Sequence, residues 1–273
     1  MNKWRRLLID GLLAVNRLVS SGEPLLRTHN ASVLVFAPHP DDEVLGCGGT
    51  IALKAQAGAR IKVVVMTDGR ASHRALIAEN DLIKMRRAEA KDAALELGLT
   101  AEDYIFLDFE DHRLHQYRSA AIDRVFATIE QFEPDEIYLP NRRDKISDHV
   151  ETNRVVRAAV RRTNRSARLL EYPVWLWNSW PWTLGNTRYA SDKVRQVLGT
   201  VRDIVELVFM CRAKVNVSAV LHLKLAALAA YRSQIYRFGG NPRWPVLADV
   251  ADGEFLRRFK TDIEVFRRTD HHP

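Results

Sequence analysis

Two segments that contain several consecutive apolar residues, Ser32–Ala37 and Ile61–Met66, constrain this chain more than any other feature. A strand with water on one face alternates apolar and polar residues, so a run that is apolar throughout must be covered on both faces. Elsewhere the apolar residues shift to helical spacing, from about Gly49 to Ala57, through Met85 to Leu97, and over Ala120–Phe132. Tyr104–Leu107 and Glu136–Leu139 read as a third and a fourth strand, and a helix is expected from Ser147 or Asp148 to about Arg162. Buried strands alternating with helices predict an α/β fold of three layers around a mainly parallel, Rossmann-like sheet. Beyond Leu169 the pattern loosens. It suggests a strand over Leu170–Leu176, a loop over Asn178–Asn186, a helix across Val194–Val208, a strand at Val215–Val217 and a helix from Ser218 to Ala230.

A length of 273 residues suits one large domain, expected over 31–273, preceded by an amphipathic segment over 1–30. In that segment Trp4, Leu7, Leu8, Leu12, Val15 and Val19 form an apolar stripe. Such a stripe reads first as a helix docked on the domain, since core-packing helices share its period, with a helix lying on a membrane surface through residues 1–20 as the alternative. Two cysteines cannot build a disulfide framework, which points to a reducing, cytoplasmic setting. The net charge of +7 is concentrated in residues 1–30 and 151–170. Neither block holds more than one aromatic residue, which argues against nucleic acid and for an anionic substrate or lipid surface.

The first strand runs directly into His39-Pro40-Asp41-Asp42-Glu43. Open α/β sheets bind ligands at the carboxyl ends of their strands, and Pro38 and Pro40 stiffen this loop. His39 and Asp42 can face one centre as nitrogen and oxygen ligands suited to zinc, leaving Asp41 for proton transfer. A polar turn capping the next helix is the plainer alternative. A second cluster, Asp144-Lys145-Ile146-Ser147-Asp148-His149, follows the fourth strand at the same edge, and His149 is the natural third ligand. Two imidazoles, one carboxylate and an open position make a catalytic zinc arrangement; Fe(II) suits the same set.

With Leu45-Gly46-Cys47-Gly48-Gly49-Thr50 after it, the first motif resembles the signature of the LmbE-like, or PIG-L, zinc-dependent de-N-acetylases. Thr67-Asp68-Gly69, Arg86-Arg87-Ala88-Glu89, Asp148-His149 and the late segment Lys224–Leu228 ending at Ser233-Gln234 fall in the family's order, so the likeness spans roughly 31–266. It implies hydrolysis of an N-acetyl or related acyl amide on an amino sugar or glycoconjugate. His39, Asp42 and His149 would be the ligands, Asp41 the general base and Arg86 a substrate-side arginine, with Asp144 and Asp148 around them.

One position departs. The family usually has His-Pro-Asp-His in the second motif, and this chain has Ile146-Ser147-Asp148-His149. The first histidine of that motif helps stabilise the oxyanion, a role worth on the order of 100- to 1,000-fold in rate. Either another group, with His73, His112 and His115 nearest in sequence, replaces it, or activity is weak or altered. The rival readings are a degenerate zinc- or carbohydrate-binding protein and a membrane-surface deacetylase of a lipid-linked sugar. Trp175, Trp177, Trp180 and Trp182 suit a sugar-binding rim, a membrane interface or core filling. Arg154, Arg157 and Arg161 share a helical face that could attract phosphate.

Overall fold

Strand β1 (Ser32–Ala37) buries all six residues. Val33 and Val35 enter one apolar cluster and Leu34 and Phe36 the other, as the period of two in a strand requires. Strand β2 (Arg60–Thr67) does the same, with Val63 and Val65 on one side and Val64 and Met66 on the other. The computed structural model describes residues 3–19, 31–183 and 193–273, with backbone only for 193–196. Strands β3 (Tyr104–Phe109), β4 (Glu136–Pro140), β5 (Ala167–Tyr172), β6 (Ala213–Asn216) and β7 (Ile263–His271) complete a seven-stranded sheet of order β3-β2-β1-β4-β5-β7-β6. The first five are parallel, and β7 runs antiparallel to β5 and β6. Helices α2 (Asp42–Gln56), α3 (Glu79–Glu96) and α7 (Leu221–Ala230) pack on one face, and α4 (Arg118–Phe132) and α5 (Ser147–Val160) on the other. This is the expected three-layer α/β architecture. From β1 the chain builds outward to β2 and β3, then crosses to β4 and β5 on the other side. The loops after β1 and β4 therefore diverge from a switch point, where doubly wound sheets open a ligand crevice.

Several boundaries differ from the expectation. Helix α2 begins at Asp42 rather than near Gly49, and it kinks at Cys47, whose backbone is non-helical. The strand expected over Leu170–Leu176 is β5, which stops at Tyr172; Pro173 follows, then a 3-10 turn at Trp175–Trp177. Val215–Val217 is β6, shifted to Ala213–Asn216. Helix α6 (Lys193–Val205) runs into a wider π turn at Glu206–Met210, within the expected span. The expected loop at Asn178–Asn186 lies partly outside the described residues. Strand β7 was not foreseen, because Glu264, Arg267 and Arg268 break its apolar pattern.

Those charges are internally paired. Behind the kink, Glu264 accepts hydrogen bonds from Gly49 N (2.9 Å), Thr50 N (2.8 Å) and Thr50 Oγ1 (2.6 Å), capping the second half of α2 with a carboxylate. Lys224 Nζ on α7 donates to the same carboxylate (2.6 Å) and to Leu45 O. Small residues let these parts approach: a Cβ on Gly46 would lie 2.1 Å from Tyr172 Cδ2, and one on Gly49 2.6 Å from Val217.

Helix α1 (Lys3–Val19) does dock, but through a face that takes only Leu12 from the stripe read in the sequence. Ile9 joins Leu176, Trp182, Leu207 and Val208. Arg5 pairs with Glu254, in the short helix α9 (Glu254–Arg257) that follows α8 (Arg232–Ile235), and donates to Pro181 O. Asn16 Nδ2 donates to Val208 O (2.8 Å) and Leu207 O (3.2 Å), serving carbonyls in the π turn. Trp4, Leu7, Leu8 and Val15 face outward. No described helix is long and apolar enough to cross a membrane.

Glu264→Ala should destabilise the protein by about 3–5 kcal/mol, because it strands the buried Lys224 ammonium and uncaps α2. Glu264→Leu with Lys224→Met should recover much of that loss, since no buried charge remains. Urea unfolding of the three proteins checks both expectations.

Candidate functional site

The crevice at the switch point is a cavity of about 160 Å³, lined among others by His39, Asp41, Asp42, Arg86, Asp111 and Ile146. The loop after β1 is held from below: Thr67 N and Oγ1 both donate to Pro38 O (3.0 and 2.8 Å), and Arg86 Nη2 donates to Pro40 O. His39 N donates to Asp42 Oδ2 at 3.0 Å, tightening the turn. Asp41, the residue before α2, takes φ 120, a left-handed conformation costly for any residue but glycine. Glu43 is fully buried under the loop, accepting from Tyr231 and Tyr104 hydroxyls. Burial raises its pKa, against the hydrogen bonds from the two tyrosines.

His39, Asp42 and His149 converge as expected, with one ligand atom from each within 4.8 Å of the others. Asp42 Oδ2 lies 3.1 Å from His39 Nδ1 and 3.1 Å from His149 Nε2. The buried Nε2 of His149 makes no hydrogen bond despite that distance, so its lone pair faces the shared centre rather than a partner. The other nitrogen explains why. Asp144 accepts from Leu176 N (2.6 Å) and Val174 N (3.2 Å), and its Oδ2 meets His149 Nδ1 at 2.9 Å. A carboxylate so fixed demands a proton on Nδ1, which leaves Nε2 as the donor atom, the usual arrangement around metal-binding histidines.

A second trio, His39, Asp111 and Asp148, shares His39. Here His39 Nε2 lies 3.1 Å from Asp111 Oδ1 and 3.6 Å from Asp148 Oδ2. Both carboxylates are also tied to backbone, Asp111 by Ala71 N (3.1 Å) and Asp148 by His112 N (2.7 Å). Two imidazoles and one carboxylate suit zinc or Fe(II) better than one imidazole and two carboxylates. Asp111 and Asp148 then stand behind His39 as Asp144 stands behind His149. Asp111 went unnoticed in the sequence; the one signal was its place just after β3, at the same sheet edge.

Charge follows from these contacts. Burial disfavours ionised Asp42, but the two imidazoles outweigh it and hold the carboxyl well below its usual range. Burial also opposes charge on His149, yet Asp42 and Asp144 lift that imidazole to about 9. Asp41 is different: burial pushes its pKa up, and Arg86, 3.1 Å from Oδ2, offsets only part of the rise.

Of the three histidines nearest in sequence to the missing one, His112 alone lines the cavity. His73 is stacked 4.2 Å from Trp244 and bonded to Pro245 O and Ser72, and burial lowers its pKa. His115 sits on the separate 3-10 turn Leu114–Tyr117. Trp175 lines the cavity, stacked on Phe255 at 4.7 Å. Trp177 does not; it packs edge-on against the fully buried Trp182 beneath α1. Arg157 is bound to Glu171 and Arg154 to Glu151.

Residues 34–160 match the family model described as GlcNAc-PI de-N-acetylase (PIG-L). A probable N-acetyl-α-D-glucosaminyl L-malate deacetylase of Bacillus cereus is 30% identical over 209 residues, covering 74% of this chain and 83% of that protein. Among solved structures, the N,N′-diacetylchitobiose deacetylase of Pyrococcus horikoshii superposes with a TM-score of 0.63 at 19% identity, over 98% of this chain and 94% of that one. The 4-carboxy-2-hydroxymuconate hydratase GalB of Pseudomonas putida superposes at 0.59 with 16% identity, over 89% and 97%. These two likenesses establish the fold alone, and they show it carrying two chemistries.

An ion held by His39, Asp42 and His149 predicts that Asp144→Ala weakens binding by about 10- to 100-fold, with His149→Ala losing most of it. Uptake must displace the His149 proton below about pH 9, so affinity in the parent should rise with pH toward that value. Competition against a chromophoric chelator measures both; full retention of affinity in both variants defeats the assignment.

Proposed function

Because this chain belongs to the PIG-L family of de-N-acetylases, we propose that residues 31–273 form a zinc-dependent amidohydrolase that removes an acetyl or related acyl group from an amino sugar or glycoconjugate. The observation that carries the reading is the aim of His149 Nε2 and His39 Nδ1 at Asp42, with Asp41 beside them on the same cavity. His39, Asp42 and His149 are the ligands; Fe(II) suits them as well. Zinc, when bound there, supplies a Lewis acid for the acyl oxygen and makes water a stronger acid.

The chain's own groups supply the proton transfers. Asp41 accepts the proton of the attacking water as oxygen bonds to the acyl carbon. It then returns that proton to the amine nitrogen as the carbon–nitrogen bond breaks, leaving a carboxylic acid and a free amine. Burial favours the protonated form of Asp41 that this second step requires, and Arg86 fixes the carboxylate for the first. Trp175 gives the sugar ring an apolar wall. Relatives support the substrate class: the Bacillus cereus protein is named for a glucosaminyl malate. Two buried free thiols, Cys47 and Cys211, accord with a reducing, cytoplasmic setting.

Ile146 lines the cavity where the family usually has a histidine, and it cannot donate a hydrogen bond. His112 lines the same cavity and is the replacement donor in this reading. Its backbone is held at φ 66 with its N–H on Asp148, which fixes where the residue sits.

Asp41→Asn should retain the ion but lose essentially all acetate release from N-acetylglucosamine conjugates, because an amide cannot take the water's proton. Full activity in that variant would move the general base elsewhere. His112→Ala should lower kcat by about 100- to 1,000-fold with little change in KM. Ile146→His with Ser147→Pro should then leave kcat unchanged or lower; a clear gain would mean that the parent site is impaired rather than rebuilt.

A further inference from the structure

Helix α1 is held to the protein by the wrong residues for an ordinary amphipathic helix. Its inward face buries Arg5, Ile9 and Asn16, with Leu12 and Leu13 packed at its edges, so polar anchors share the attachment with apolar contacts. Its C-terminal carbonyls are capped from the domain as well, Asn16 O by Lys214 Nζ (2.9 Å) and Val19 O by Arg212 Nε (2.8 Å). The apolar stripe lies about a third of a turn away. Leu7, Leu8 and Val15 on that stripe are exposed, as is Leu18 beside it, to 85%.

Helix α6 repeats the arrangement. Val197, Leu198, Val201 and Val205 share one face and are all exposed, Val197 to 61%. The two helices meet at Glu206–Met210, where Ile9 packs on Leu207 and Val208 while Phe209 and Met210 face out. Of the seventeen large apolar side chains exposed among the described residues, eleven belong to these two segments. Scattered apolar residues need no explanation, but a concentration on two adjoining helices marks a surface that meets something apolar.

Charge identifies the partner. The remaining arc of α1 carries Lys3, Arg6 and Arg17 against Asp10 alone, and none of the three cations makes an ion pair among the described residues. Beside the apolar face of α6 is a cavity of about 540 Å³ lined by Arg142, Arg143, Gly199, Arg202, Asp203 and Arg267. Arg143 and Arg267 share Glu206, Arg142 lies 3.9 Å from Glu171 and Asp203 is taken by Lys145 at 3.0 Å, so Arg202 has no ion pair among the described residues. A protein partner of either sign would suit an apolar face; an apolar face flanked by four cations without ion pairs among the described residues, Lys3, Arg6, Arg17 and Arg202, suits an anionic bilayer.

We infer that the protein docks peripherally on an anionic lipid surface, with the outward faces of α1 and α6 entering the interface and the arginine-lined cavity taking a headgroup phosphate. Long basic side chains on the outer arc of α1 can reach the headgroups while their stems stay near the apolar layer. The Lys145–Asp203 bridge ties α6 to the loop that carries Asp144 and leads into α5. This surface is argued independently of the deacetylase reading.

Co-sedimentation of the full chain with vesicles tests it, using phosphatidylcholine alone and phosphatidylcholine with roughly a third phosphatidylglycerol. The parent should bind the anionic vesicles at least about tenfold more tightly than the neutral ones, and less as salt is raised. Leu18→Asp with Val201→Asp should abolish binding while leaving the folded state and any hydrolysis of a water-soluble substrate unchanged, since both positions are exposed. Arg202→Ala should weaken it by about fivefold. A parent that stays in the supernatant with both vesicles overturns the inference, as does a Leu18→Asp, Val201→Asp protein that binds as the parent does. So does a parent that is dimeric by light scattering, ignores vesicles and becomes monomeric in that double variant, for then the face meets a second copy of the chain.

Discussion

One carboxylate organises the site. Asp42 lies 3.1 Å from an imidazole nitrogen on each side, in a position almost closed to water. A buried carboxylate in that setting must be neutralised by partners or by protonation. Here the partners are His39, on the loop after β1, and His149, in the first turn of α5, more than a hundred residues apart in sequence. Each ring is gripped at its far nitrogen by another carboxylate, Asp111 for His39 and Asp144 for His149. Carboxylate and imidazole alternate through these five groups, so removing any one leaves a buried neighbour without its charge partner.

The sheet makes that arrangement possible. Strands β1 and β4 are parallel neighbours, with Val33 opposite Glu136, so the loops leaving their carboxyl ends emerge side by side. Helix α2 then starts at the site, and its kink at Cys47 lets the first half serve the cavity while Glu264 caps the second. Tyr172, whose hydroxyl donates to Phe36 O, fills the space that Gly46 leaves open. Binding geometry and core packing thus share the same few residues.

The outer helices follow another logic. Core strands bury apolar side chains because water is excluded on both faces, at about 1.5–3 kcal/mol for each fully buried aliphatic residue. Helix α1 takes only part of that gain, with Ile9, Leu12 and Leu13 on the cluster beside two polar anchors. Arg5 and Asn16 gain specific partners on α9 and the π turn, which fixes the helix in one orientation and leaves its apolar stripe outward.

Periodicity in the sequence determined the α/β class, the first four strands and the edge of the sheet at which chemistry would occur. Residue type and local spacing marked His39, Asp41, Asp42 and His149, since a polar cluster directly after a buried strand has few structural uses. Strand β7 stayed hidden because its charges look solvent-facing until Lys224 and Glu206 are seen beside Glu264 and Arg267. Asp111 stayed hidden because nothing near it in sequence sets it apart; His39, far away in the chain, does. The four clustered tryptophans could not be sorted by spacing, and packing sent Trp175 to the cavity and Trp182 to the core. For α1 the periodicity found the stripe but not its direction, because which face of an amphipathic helix turns inward is decided by partners the helix does not itself contain.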